Sequence, residues 1–224
     1  MTRAVIFDMF ETLITHYQSP LYFGTQMAID AGIPEDRFKA LWHPTEYDRT
    51  IGKLTLEKSL EIILRENNCY SETLFKTIVD NRIAAKKECF KHLHTEIIPM
   101  LSTLKKRGFL IGLISNCFSE EAEVIRSSEL FPYFDAIYLS YEQGIQKPEV
   151  EIFQRCMDDL SVKAEECIYV GDGGSEELET ARKLGMVALQ AAWYLQEGTT
   201  QPSKRKHDFF QLEKPSEVLN FVDM

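Results

Sequence analysis

From Glu96 to Leu189 the chain alternates short apolar runs with helix-length segments, and this rhythm narrows the fold more than any other feature. The runs Leu110-Ile111-Gly112-Leu113-Ile114, Ala136-Ile137-Tyr138-Leu139, Cys167-Ile168-Tyr169-Val170 and Met186-Val187-Ala188-Leu189 are apolar on both alternating faces. Strands covered by helices on both sides read this way. Helical segments over Ile97 to Lys106, about Ser119 to Glu129, Glu149 to Leu160 and about Ser175 to Leu184 separate them, with Gly108 and Gly185 as stops. The alternation predicts an α/β chain with a Rossmann-like parallel sheet, flanked by helices and joined by right-handed crossovers. One more strand, Ala4-Val5-Ile6-Phe7, precedes all of these and ends abruptly in Asp8, with Thr12 four residues on.

Between Pro20 and His94 no strand signal of any strength occurs. Helical patterns run from about Leu21 to Ala31, Glu35 to Tyr47, Thr55 to Asn67 and Ser71 to Lys91. Leu56, Leu60, Ile63 and Leu64 share one helical face, and Ser71 is placed to cap the last helix. The expected organisation is a catalytic core of residues 1–15 and 95–224 with a four-helix cap of residues 16–94 inserted after the first strand. Toward the C-terminus, residues 198–203 read as a loop, Lys204-Arg205-Lys206-His207 as a solvated basic stretch, and Pro215-Ser216-Glu217 as the start of a docked helix.

Composition excludes several classes of function. With 25 Lys and Arg against 35 Asp and Glu, the net charge of −10 disfavours nucleic acid or an anionic membrane as partner. Five scattered cysteines without a CxxC pair argue against a disulfide framework and fit reduced thiols. The first strand begins directly after Met1-Thr2-Arg3, which leaves no room for a signal peptide, and no apolar run approaches the roughly 18 residues needed to span a bilayer. A cytoplasmic protein acting on a small-molecule substrate, as monomer or homodimer, is expected.

In a parallel sheet the residues just past each strand converge where ligands bind. Here they are Asp8, Ser115-Asn116, Lys147 and Asp172: two acids, a hydroxyl and an ammonium. Their flanks carry a resemblance. Phe7-Asp8-Met9-Phe10-Glu11-Thr12-Leu13, Leu113-Ile114-Ser115-Asn116, Gln146-Lys147-Pro148-Glu149 and Val170-Gly171-Asp172-Gly173-Gly174-Ser175-Glu176-Glu177 resemble, in order, the four motifs of the haloacid dehalogenase superfamily. The resemblance spans about residues 4 to 185.

That resemblance implies a hydrolase in which Asp8 is a covalent nucleophile, Ser115 and the Asn116 N–H hold a phosphoryl or carboxylate oxygen, and Lys147 offsets charge. It implies Mg²⁺ held by Asp8, the Phe10 backbone carbonyl, Asp172 and Glu177, with Glu176 and Glu179 close to the last. Thr12 and, from the inserted helices, Arg49 join the substrate-binding set, Arg49 facing a carboxylate or phosphate. Trp42 and Tyr47 read as cap core, and Cys117 as an inert packed thiol.

Phe10 departs from the phosphatase pattern, which has an Asp there to protonate the leaving group and activate water. Superfamily dehalogenases carry an aromatic residue at that place but need no metal and lack the Gly-Asp of the fourth motif. Glu11 and His16 are the nearest candidates to replace the absent acid. The expected reaction is therefore Mg²⁺-dependent hydrolysis of a small phosphorylated metabolite through an aspartyl phosphate. A metal-independent 2-haloacid dehalogenase, or a catalytically weak phospho-ligand-binding protein, is the alternative.

Overall fold

The computed structural model describes residues 1–196, 201 and 203–222. Of the loop expected over residues 198–203, positions 198–200 and 202 therefore lie outside the described residues. The first strand, β1 (Ala4–Phe7), leads into α1 (Gly24–Ala31), α2 (Glu35–Trp42), α3 (Glu46–Thr50), α4 (Leu56–Glu66) and α5 (Glu72–Cys89). Then follow α6 (Ile97–Lys106), β2 (Leu110–Ser115), α7 (Ser119–Ser127), β3 (Ala136–Leu139), α8 (Ser140–Gln143), α9 (Val150–Leu160), β4 (Cys167–Gly171), α10 (Glu177–Leu184), β5 (Val187–Ala191), β6 (Phe210–Leu212) and α11 (Leu219–Val222).

The six strands form one parallel sheet in the order β3-β2-β1-β4-β5-β6, confirming the Rossmann-like class. The chain leaves β1 toward β2 and β3, then returns across the sheet to β4, so the order reverses at the boundary of β1 and β4. Phe7 is level with Leu113 on one side and Val170 on the other, which brings the ends of three strands side by side. Alternate residues of β1 feed two cores. Val5 and Phe7 pack with α6, α7 and α11, whereas Ala4 and Ile6 pack with α9 and α10.

A third apolar cluster, including Met27, Phe38, Trp42, Leu56, Leu60, Ile63 and Ile78, draws all its members from the segment between β1 and α6. Five α-helices occupy this stretch rather than the expected four. The segment read as one helix from Glu35 to Tyr47 divides at a 3-10 turn, His43–Thr45, where Pro44 has no N–H to continue the α-helical pattern. Ser71 does cap α5, its Oγ accepting the Leu74 N–H at 3.2 Å.

These helices meet the core across buried charges. Arg82 of α5 donates to Glu120 Oε1 of α7 at 3.0 Å and to the Tyr22 carbonyl at 2.7 Å, while Lys86 meets Glu121 at 2.6 Å. Burial opposes ionisation of Glu121, but Lys86 and Arg82 outweigh it and hold the carboxyl low, at about 2.

Three differences lie near the C-terminal half. β6 has no counterpart in the apolar pattern; its backbone pairs with β5 from Leu189↔Phe210 to Ala191↔Leu212. The helix expected from Ser175 starts at Glu177, because Ser175 and Glu176 have φ of 50° and 51° in a turn that folds back on Asp172. The basic stretch is partly engaged: Lys206 Nζ pairs with Glu179 at 2.6 Å and its N–H donates to Gln190 Oε1 at 2.7 Å. Among the described residues no helix is long and apolar enough to cross a membrane, and all five cysteines are free thiols.

Candidate active site

The sheet's central strands end in an open cleft of about 1330 Å³, walled on one side by Asp8, Asn116, Lys147, Asp172 and Glu177 and on the other by Trp42, Arg49, Arg82 and Lys86. Asp8 follows β1 and is anchored by its N–H, which donates to the Val170 carbonyl at 2.9 Å. Lys147 Nζ donates to Asp8 Oδ1 at 2.5 Å, to the Tyr169 hydroxyl at 3.3 Å and to Glu177 Oε2. Its backbone is fixed by Asn116, whose Oδ1 accepts the Lys147 N–H at 2.8 Å while Nδ2 donates to the Lys147 carbonyl at 2.9 Å. The Asn116 side chain thus positions Lys147, a role separate from that expected of its N–H.

Asp172 follows Gly171 and is wrapped by its own loop. Its Oδ1 accepts the Gly174 N–H at 2.9 Å, and its Oδ2 accepts the Ser203 hydroxyl. A Cβ at Gly171 would overlap the Glu177 carboxylate, so a larger residue there would displace Glu177. Glu177 is buried, with Oε1 accepting the Gly173 N–H at 3.3 Å and Oε2 accepting Tyr169 Oη at 3.0 Å. The neighbouring acids part company with it: Glu176 is exposed and Glu179 pairs with Lys206.

Thr12 Oγ1 lies 3.4 Å from Asp8 Oδ2 and is fully buried. Ser115 is fully buried as well, and its Oγ donates to the Asn116 carbonyl at 3.5 Å. Cys117 is buried, and burial pushes its thiol above the usual range, consistent with an inert packed group. Tyr47 is 54% exposed and is not cap core, whereas Trp42 is buried. Arg49 is only 1% exposed and lines the cleft, where the substrate-binding set expected it.

The sequence reading missed a second buried network beside Phe10. Glu11 Oε2 accepts from the Thr15 hydroxyl at 2.5 Å and from Gln201 at 3.1 Å, while Oε1 meets His16 Nδ1 at 3.2 Å. His16 Nε2 faces Lys86 Nζ at 2.7 Å, and the ring stacks on Phe10 with centroids 4.8 Å apart. Burial and the Lys86 charge lower the His16 pKa, so the ring is neutral with Nδ1–H toward Glu11 and Nε2 accepting from Lys86. Both nitrogens are engaged, which leaves neither Glu11 nor His16 an obvious substitute for the acid absent at Phe10. The polar tip of Tyr169 was also missed, because in an apolar strand it reads as one more core ring.

Asp8, Asp172 and Glu177 can bring one oxygen each within 4.8 Å of one another. Among the described residues these three buried carboxylates have one paired ammonium, Lys147, and hard oxygen donors with this charge excess suit Mg²⁺. Burial, opposed by Lys147 and reinforced by Asp172, pushes Asp8 up to about 6. Burial, opposed by Lys147 and reinforced by Asp8, pushes Glu177 up to about 8. For Lys147 burial works the other way, but Asp8 and Glu177 outweigh it and hold the ammonium firmly protonated.

A carboxyl whose folded pKa is raised binds its proton more tightly in the folded chain. Its stabilising contribution is complete below the ordinary carboxylate range and is lost as pH rises through the folded value. Metal-free protein should therefore lose stability from about pH 5 to about pH 8, and Mg²⁺ should raise the melting temperature more at the upper end. Thermal melts in EDTA and in Mg²⁺ across that range check this; an equal Mg²⁺ shift at both ends counts against a cation at these carboxylates.

A family model of haloacid dehalogenase-like hydrolases matches residues 2–185. The chain belongs to that family. It is thus a hydrolase, as its four motifs imply. It is 22% identical to a glyceraldehyde 3-phosphate phosphatase of Methanopyrus kandleri over 99% of this chain and 97% of that one. Among solved structures, a HAD phosphatase from Thermococcus onnurineus superimposes with a TM-score of 0.70 at 18% identity, covering 99% of this chain and 98% of that one. A 2-haloacid dehalogenase from Pseudomonas syringae pv. tomato gives a TM-score of 0.69 at 22% identity, covering 100% and 99%. The two fit almost equally well, so the fold does not choose between phosphoryl and haloacid chemistry.

Proposed function

We propose that this protein is a Mg²⁺-dependent phosphatase that hydrolyses a small phosphorylated metabolite through an aspartyl phosphate on Asp8. The observation that carries this reading is the charge balance past the ends of β1 and β4: among the described residues Asp8, Asp172 and Glu177 cluster together, and Lys147 is the one ammonium paired within that cluster, with Asp8 and Glu177. A dianionic phosphate approaching this set needs a divalent cation, whereas a haloacid reaction without metal would leave the carboxylates uncompensated. Asp8, Asp172 and the Phe10 carbonyl are the proposed ligands. Glu177, whose oxygens are already held by Lys147, Tyr169 and Gly173, completes the acidic set and keeps Lys147 in place. When bound, Mg²⁺ offsets the negative charge of the phosphate and of the attacking carboxylate.

In the reaction an Asp8 carboxylate oxygen attacks phosphorus, the ester P–O bond breaks, and the bonding pair leaves on the ester oxygen. Lys147 steadies the charge that builds on the transferred group, aided by the N–H of Asn116. Water then attacks the phosphorus as the O–P bond to Asp8 breaks, so inorganic phosphate leaves and the Asp8 carboxylate is restored; the water gives a proton to solvent and the departed ester oxygen takes one from it. Residues 16–94 act in this reading as a cap over a core of residues 1–15 and 95–224, excluding water and selecting substrate. The phosphatase name of the Methanopyrus relative supports the choice of reaction class.

The test is turnover of an activated aryl phosphate. Hydrolysis should require Mg²⁺ and stop in EDTA, and 2-haloacids should remain unreacted. Haloacid conversion in EDTA with no phosphate release would instead identify a dehalogenase.

A further inference from the structure

On the wall of the cleft facing the carboxylates, Arg49 is built as a recognition group with one guanidinium nitrogen left unbonded. Its guanidinium carbon lies 3.6 Å from the Trp42 ring centroid and 4.2 Å from that of Phe118, so an aromatic ring covers each face. Nε donates to Thr45 Oγ1 at 3.0 Å, which fixes the rotation of the group. Nη1 is buried and has no hydrogen-bond partner among the described residues. The other cations of the cleft wall are bonded within the chain. Arg82 has Glu120, Lys86 has Glu121, Lys147 has Asp8, Lys39 has Glu35, Lys206 has Glu179, and Lys204 has the Gln201 carbonyl.

With both faces stacked, only the edge of the guanidinium can bind, and a planar two-oxygen anion matches that edge. A buried charged donor left without an acceptor is costly, which points to an acceptor brought by the ligand. Phe118 stands two residues after Asn116 and both line the cleft, so the guanidinium stacks on the loop expected to hold the phosphoryl group. Among the described residues the other buried cations of the cleft, Arg82, Lys86 and Lys147, each have a carboxylate partner, so a single free guanidinium nitrogen suits a carboxylate better than a second phosphate dianion.

We propose that Arg49 binds a carboxylate on the leaving part of the substrate, making the substrate class phosphomonoesters of small carboxylic acids. This rests on the phosphatase reading above, and the assay separates the two. Aryl phosphates bearing a carboxylate directly on the ring or on a short chain are compared with their carboxamides and with bisphosphate analogues, using wild-type protein and Arg49→Met and Arg49→Lys. The wild type should favour each matched acid over its amide about 10- to 100-fold in kcat/KM, mostly through KM, and Arg49→Met should bring that ratio close to one. Arg49→Lys should restore part of it. Equal turnover of acid and amide by the wild type overturns the inference and leaves the phosphatase reading intact. So does a preference for bisphosphates over acids, or an equal loss on all substrates in Arg49→Met, which would place Arg49 on the transferred phosphoryl group. Absence of any Mg²⁺-dependent turnover overturns both.

Discussion

Replacing Asp8 with Asn is expected to lower aryl phosphate hydrolysis on the order of 10⁴-fold while the protein stays folded. An amide offers no nucleophilic oxygen anion, so the first displacement loses its attacking group. The change is nearly isosteric and leaves Lys147 still paired with Glu177 and bonded to Tyr169. Because burial already holds Asp8 up at about 6, its charge at neutral pH opposes folding of the metal-free protein. The Asn variant should therefore melt no lower than the wild type in EDTA, and should lose most of the stabilisation by Mg²⁺. Single-turnover rates and paired thermal melts measure both effects. Activity within tenfold of wild type would remove Asp8 from the reaction.

The second large effect concerns the leaving group. Proton donation in the transition state contributes roughly 10²- to 10⁴-fold for a poor leaving group, and Phe10 cannot supply it. Alkyl phosphates should react slower than aryl phosphates by a factor well beyond that of family members with Asp at this position. The surroundings reinforce the point: the Phe10 ring stacks on a His16 whose nitrogens are taken by Glu11 and Lys86. Lys86 itself is tied to Glu121 at 2.6 Å. A Phe10→Asp variant should speed alkyl phosphates more than aryl phosphates, as read from the slope of log kcat/KM against leaving-group pKa. Equal wild-type rates for the two ester classes would show that another group donates the proton.

Much of the core was legible because strand ends carry their own signal. The runs before Asp8, Ser115 and Asp172 are apolar on both faces, and only a strand buried between helix layers tolerates that. Lys147 could be placed by its Lys-Pro pair at the start of α9. Where the reading failed, the deciding contacts were distant in sequence. β6 has three residues, too few for a periodic pattern, and exists because β5 offers it an edge. Pro44 broke a helix that the apolar spacing alone would have continued. Arg49 carries a charge at a helix end, which in a sequence means solvent; its burial depends on Trp42 from α2 and Phe118 from the core arriving on opposite faces.

The sequence by itself determined the layered α/β class, the convergence of Asp8, Lys147 and Asp172, and the loss of an acid at Phe10. These follow from local periodicity, from the rule that parallel strands end on one edge, and from side-chain chemistry. Tertiary structure alone decided which charges are paired. Glu177 sits on Lys147, Asn116 grips the backbone of Lys147, and a Glu11-His16-Lys86-Glu121 chain lies behind Phe10. Arg49 is left with a buried, unbonded Nη1 in the wall of the same cleft. Pairing depends on separations of a few ångströms between segments far apart along the chain, and on a burial that makes each unpaired charge expensive.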